Sequence, residues 1–245
     1  MFFWFKKSKV ILECFTTDEL VYEHAKIESM IKFFPDWWKK TKKIENDKFT
    51  IKNCTAILEF YRKGITMPLW TNLKISLNGD GTFEWKSSNS ATEVESHHKN
   101  QFLKFAHHDG YNIKVISPWI FRTKKEKYFL LSNPIYNNRN LINCMTVMPG
   151  VLEFKYNRDV NVNFFLIAGE KQYIEIPAFT PMLALHPLFE ESVEIKNFLI
   201  TSEEFSKIDY AKRFVDVNYS LNLYKEKRKV VDHTESKSKC PFGFK

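Results

Sequence analysis

Ile65-Thr66-Met67-Pro68-Leu69-Trp70-Thr71-Asn72-Leu73-Lys74-Ile75-Ser76-Leu77 runs into Asn78-Gly79-Asp80-Gly81 and then Thr82-Phe83-Glu84-Trp85-Lys86. This stretch decides the fold class. Asn-Gly and Asp-Gly both accept the positive φ that tight hairpin turns require, so two strands folding back on one another are predicted here. Towards the C-terminus, further strand candidates fall at 111–117, 127–132, 142–147, 150–156, 160–168 and 171–176. Pro118, Asn133-Pro134, Asn137-Asn138, Pro149-Gly150 and Ala168-Gly169 punctuate them. Val160, Val162, Phe164 and Leu166 alternate with more polar neighbours before the Gly-containing turn into 171–176. Short, turn-bounded strands at this spacing predict a mainly β protein of the α+β class, with an antiparallel β-sandwich, jelly-roll or cupin-like core.

Helical signals flank that core. Lys9-Val-Ile-Leu-Glu-Cys-Phe15 reads as a buried strand, and Thr16 with Glu19 offers a capping box for a short helix after it. Pro35 opens a turn that carries Trp37 and Trp38 on one amphipathic face. Cys54, Ile57, Leu58 and Tyr61 have helical spacing, with Gly64 as the stop. After Pro187 the pattern reverts to helix: Thr201 and Glu204 form a second box, and Phe205, Ile208, Ala211, Phe214, Val215 and Leu221 make a stripe that docks on a sheet. The expected organisation is an N-terminal α/β segment (1–64), a β-sandwich core (65–190), a C-terminal helical segment (191–224) and a basic tail (225–245).

The chain has 245 residues with 44% hydrophobic and 16% aromatic residues and only 7 Gly and 9 Pro, which excludes disordered and low-complexity classes. Its 37 Lys plus Arg against 29 Asp plus Glu give +8, enough for attraction to nucleic acid or an anionic membrane. That excess is local: Lys39, Lys40, Lys42 and Lys43 form one cluster and the C-terminal end another, and such runs are read as solvated faces. No specific nucleic-acid signal is present. The wealth of Lys, Asn, Ile and Phe is that of a chain translated from an AT-rich genome.

Cys14, Cys54, Cys144 and Cys240 lie far apart with no Cys-x-x-Cys pair, so reduced structural thiols are expected. The opening Met-Phe-Phe-Trp-Phe-Lys-Lys has its apolar run before its charges, the reverse of a secretory signal. No apolar run approaches the roughly 18 residues of a membrane span. A soluble, cytoplasmic protein is predicted, with its oligomeric state left open.

Pro35-Asp36-Trp37-Trp38-Lys39-Lys40, Thr50-Ile51-Lys52-Asn53-Cys54, Gly64-Ile65-Thr66-Met67-Pro68-Leu69-Trp70 and Ser117-Pro118-Trp119-Ile120-Phe121-Arg122-Thr123 occur in that order. The series resembles an uncharacterised domain family of marine tailed phages, cyanophages especially, with scattered bacterial members. The resemblance extends from about Lys9 to His186 and takes in Pro149-Gly150, Ala168-Gly169-Glu170 and Ile176-Pro177. It implies a phage origin and no activity. Two positions depart from the family pattern: Asn72 stands where an acidic residue is expected, and Lys124-Lys125-Glu126-Lys127 replaces a Pro/Gly turn.

Two constellations are candidates for chemistry. His107, Asp109 and the distant His186 have the residue types of a facial triad for Fe(II), which would leave open positions for substrate and oxygen. Against it, Asp109-Gly110 is ordinary turn chemistry, and no basic residue closely follows His186 to hold a 2-oxoglutarate carboxylate. Trp70, Trp119 and Arg122 are the second set: each sits at a predicted strand end, and an Arg beside aromatics suits a carboxylate or phosphate. The alternative is an ion-paired Arg122 and two tryptophans filling a core. No Gly-rich phosphate loop, Gly-x-Ser-x-Gly elbow or paired-carboxylate spacing is present. The expected function is a phage-encoded accessory protein that binds a small molecule or a protein partner without a cofactor. The alternatives are a non-haem Fe(II) oxygenase of cupin or 2-oxoglutarate type and a virion structural protein.

Overall fold

The computed structural model describes residues 8–78, 82–96, 111–137, 144–155, 158–166 and 173–208. The chain divides into two compact units, Met1–Thr201 and Ser202–Lys245.

The first unit opens with β1 (Lys9–Thr16), in which Leu12 and Cys14 are fully buried, as its β-branched and apolar run predicts. Helix α1 (Glu19–His24) follows, but its cap is Asp18, whose carboxylate accepts from Val21 N at 3.0 Å; Thr16 Oγ1 instead accepts from Asp18 N. After the short β2 (Glu28–Ser29) and a 3-10 turn over Met30–Phe33, Pro35 opens α2 (Asp36–Lys40). A small hairpin, β3 (Ile44–Glu45) and β4 (Lys48–Phe49), precedes α3 (Thr55–Lys63).

The expected strand-rich region then unfolds as β5 (Ile65–Pro68), β6 (Leu73–Leu77), β7 (Phe83–Ser87), β8 (Val94–Ser96), β9 (Tyr111–Val115) and β10 (Ile120–Arg122). It continues with β11 (Tyr128–Ser132), β12 (Met145–Val147), β13 (Gly150–Glu153), β14 (Arg158–Asp159), β15 (Val162–Leu166) and β16 (Tyr173–Ile176). Two strands follow that the sequence reading did not anticipate, β17 (Pro181–Pro187) and β18 (Ser192–Leu199). Residues 192–199 were expected in a helical segment, yet they pair along their whole length with β1, and in parallel.

Four sheets surround one core, in the orders β14-β10-β1-β18, β13-β11-β17-β5-β2, β12-β15-β9-β8 and β16-β6-β7. The β-rich core with flanking helices is the predicted class. The β6–β7 hairpin is the predicted one, with Leu77 opposite Phe83. Strands β15 and β16 do not pair with each other: β15 lies between β12 and β9, and β16 pairs with β6 through Ile174↔Ile75 and Ile176↔Leu73. Alternation fixes which face of a strand is buried, whereas its partner is set by long-range packing. The N-terminal segment contributes β1 and β2 to two different sheets.

Leu12, Ile65, Ile75, Phe129, Phe164 and Leu183, from all four sheets, meet in the main core. The five-stranded sheet is covered on both faces. Phe129, Leu131, Leu183 and Leu185 face that core, while Ala184 faces a second cluster built on Met30, Trp38, Ile57 and Tyr61 beneath α3. All four residues of β5 are buried, and Thr66 donates its hydroxyl to Leu183 O at 3.1 Å. Pro68, which has no N–H to give, closes the strand opposite Pro181 at a register irregularity.

In the second unit residues 202–208 are helical, beginning directly after Thr201 as the capping box predicts, with Lys207 and Glu203 paired at 2.8 Å. The remainder of the helical stripe, Ala211 to Leu221, and the basic tail lie outside the described residues. No described helix is long and apolar enough to cross a membrane.

Candidate functional site

The structure does not gather Trp70, Trp119 and Arg122 into one cluster. Trp119 is fully buried and Trp70 nearly so, both in the main core. On β10 the buried Phe121 turns to that core, so Arg122, one residue on, projects from the opposite face. There it faces its register partner Glu13 on β1, with Nε 2.7 Å from the carboxylate and the guanidinium 4.9 Å from the Phe15 ring. Glu13 is the more buried of the two. The arrangement binds β1 to β10 and already occupies the Nε–H. Trp119 Nε1 is buried without a hydrogen-bond partner, while its backbone N–H is held by Ser117 Oγ at 3.0 Å.

Of the iron-ligand candidates, His107 and Asp109 lie outside the described residues. His186 is on β17, opposite Leu130 of β11, and its ring lies 4.4 Å from Phe60 of α3. Burial holds its imidazole below the ordinary value of 6.5, so the neutral ring predominates at neutral pH. Among the described residues no group of three His, Cys, Asp or Glu side chains is placed to share a metal ion.

His186 belongs instead to a polar and aromatic layer that sequence reasoning did not assemble. The register places Leu130 opposite His186 and Ser132 opposite Ala184, so Ser132 and His186 are diagonal neighbours on the outer face of the five-stranded sheet. Ser132 Oγ and His186 Nε2 are both buried without a hydrogen-bond partner, and so is Asn133 Oδ1, one residue beyond Ser132. Buried polar groups are nearly always satisfied, and each left unmade costs roughly 1–3 kcal/mol. Two on one face, Ser132 Oγ and His186 Nε2, therefore form a feature that needs a reason.

Aromatic rings from three segments lie over this face. Phe34 stacks on Tyr61 at 4.2 Å and on Trp38 at 5.4 Å; Phe60 meets Tyr136 edge-on at 5.7 Å. The loop after Ser132 is tied to this layer by its own polar groups. Tyr61 donates its hydroxyl to Asn137 Oδ1 at 2.9 Å, Asn137 Nδ2 donates to Phe33 O, and Trp37 Nε1 donates to Tyr136 O at 3.0 Å. Burial, with Tyr136 beside it, pushes the Tyr61 hydroxyl far above its usual value, so it stays a neutral donor. The motif Pro35-Asp36-Trp37-Trp38 and the helix through Tyr61 were visible in the sequence; that they meet over His186 depends on tertiary packing.

This layer sets a hydroxyl and a neutral imidazole nitrogen beneath packed aromatic rings. No family model matches this chain, and no curated protein matches it.

Proposed function

We propose that the protein is a phage-encoded, non-catalytic accessory protein, acting in the host cytoplasm, that binds a small uncharged molecule by admitting it between the outer face of its five-stranded sheet and the aromatic layer that covers it. The observation that carries the ligand is the pair Ser132 Oγ and His186 Nε2, on one face by register and both without a partner. A ligand with a donor and an acceptor would recover the cost of those orphaned atoms, and Phe60 and Tyr136 would supply stacking area. The phage origin is supported by the order of motifs from Pro35 to Thr123.

The test is a calorimetric and thermal-shift screen of small neutral heteroaromatic compounds against the full chain. Binding that is lost in Ser132→Ala and in His186→Phe, with both variants folded, is the expected result. Binding indifferent to both substitutions would overturn the site, as would the absence of any binder.

The neutral His186 also keeps the lone pair that metal ligation needs, which gives the Fe(II) reading its one foothold. Elemental analysis after anaerobic Fe(II) loading separates the two. Stoichiometric iron in the wild type that disappears in His186→Ala would replace the small-molecule reading with the oxygenase one; negligible iron is expected.

A further inference from the structure

The lysine cluster at 39–43 leads into a structural feature that the ligand site leaves unused. Ile44 of β3 and Phe49 of β4 are register partners on the same face of their hairpin, and both point into solvent. Phe49 is 81% exposed, the highest value among the large hydrophobic residues described, and Ile44 is 55% exposed. Ile51, just beyond, is 45% exposed. An isolated exposed apolar residue needs no explanation, but a cross-strand pair at the base of a hairpin with a third two residues on in the chain makes an apolar patch.

The hairpin is held by specific bonds. Asn46 and Asp47 both take positive φ, 48° and 60°, which closes a two-residue turn of the type whose twist matches a hairpin. Below the hairpin, Thr50 N donates to Lys43 O at 3.1 Å, Thr50 Oγ1 donates to Lys42 O, and Lys52 Nζ donates to Thr41 O at 2.8 Å and Lys39 O at 3.0 Å. Lys52 thus closes the end of α2. The remaining lysines stay outside: Lys40, Lys42, Lys43 and Lys48 are exposed and make no ion pair among the described residues. Glu45 and Asp47 offset part of that charge.

We propose that this hairpin is a docking element for an anionic lipid surface, with Phe49, Ile44 and Ile51 entering the headgroup–acyl boundary and the lysines meeting the phosphates. Exposed apolar residues flanked in the chain by exposed Lys are the pattern of interfacial binding, in which apolar insertion and attraction to anionic headgroups act together. Single-stranded nucleic acid fits less well. Binding there depends on successive bases stacking on aromatic faces, and two of the three exposed apolar residues are aliphatic. The lysines are compact point charges rather than the planar forks that read bases or bind carboxylates bidentately. The inference is independent of the proposed ligand site.

The experiment is co-sedimentation of the full chain with vesicles of phosphatidylcholine alone and of equimolar phosphatidylcholine and phosphatidylglycerol. The variants are Phe49→Ser with Ile44→Ser, and Lys42→Glu with Lys43→Glu. All four side chains are exposed, so both variants should fold. Binding to the anionic vesicles only, weakened about tenfold or more by either pair of substitutions, is expected. The C-terminal lysines could also bind such vesicles, so the hairpin variants decide. Anionic-vesicle binding unchanged in both variants would overturn the proposal, as would no vesicle binding at all. Binding of an oligothymidylate that needs Phe49 while vesicles are ignored would replace it with the nucleic-acid reading.

Discussion

Asn197 of β18 closes a two-way bridge on the backbone of Ile27: its Oδ1 accepts from Ile27 N at 3.1 Å and its Nδ2 donates to Ile27 O at 3.0 Å. The amide stands in for a strand partner and ties the end of the last strand to the turn after α1, where the Ile27 side chain is buried. Asn197→Ala removes two hydrogen bonds and strands two backbone groups, so a loss of about 2–4 kcal/mol is expected in urea unfolding. Asn197→Asp should cost nearly as much, because it keeps the acceptor and loses the donor. A loss under about 0.5 kcal/mol for both would show the bridge to be incidental.

Glu13 and Arg122 give a second stability prediction. Because Glu13 is mostly covered and Arg122 partly exposed, Arg122→Ala should destabilise by about 1–2 kcal/mol, through the carboxylate left without its charge-assisted bond. Arg122→Ala combined with Glu13→Gln should recover part of that loss, since the stranded group is then neutral. Additive losses in this double-mutant cycle would mean that the pair does not couple.

How much of this was legible differs element by element. The β6–β7 hairpin was, because Asn-Gly and Asp-Gly state a turn within four residues. The β3–β4 hairpin was not: Asn46-Asp47 makes the same kind of turn without glycine, in a stretch whose lysines drew the reading towards a solvated surface. Strand β18 was missed although Val193 and Ile195 alternate with Glu194 and Lys196, because Asn197 falls where the next apolar residue is due and the partner that makes it a strand, β1, is far away in the chain and parallel to it. Trp70 and Trp119 were read as site residues because a sequence does not distinguish a tryptophan that fills a core from one that lines a pocket. Ser132 and His186 carry no shared motif. Only the register of β11 on β17 brings them together.

Gly64 was correctly read as the stop of α3, although for a different reason from the usual one. Its φ is −72°, so it does not serve as a left-handed cap. It is small because a Cβ there would lie 2.4 Å from Met30 Sδ, 2.6 Å from Phe60 O and 3.0 Å from His186 Cε1. The backbone carbonyl cannot step aside as a side chain can, so Gly64→Ala should destabilise by about 1–3 kcal/mol through overpacking. It should also disturb the ring of His186, read as an altered imidazole chemical shift. A neutral or stabilised Gly64→Ala would contradict this packing.

Burial lowers the pKa of His186 from its ordinary 6.5, whereas in the unfolded chain the ring titrates near that ordinary value. Between the two values the unfolded state holds more protons than the folded one, so stability rises with pH across that window. Conversely, the contribution of the neutral ring is intact above 6.5 and is lost as pH falls through the lowered folded value. His186→Phe keeps an aromatic ring against Phe60 and removes the titration. The urea midpoint of the wild type should therefore fall as the pH is taken from neutral towards the carboxylate range, and that of His186→Phe should fall less over the same interval. Equal slopes would mean that His186 protonates as readily folded as unfolded. A ligand bound to the neutral Nε2 would deepen the wild-type slope further, because protonation would then cost the hydrogen bond as well as the burial.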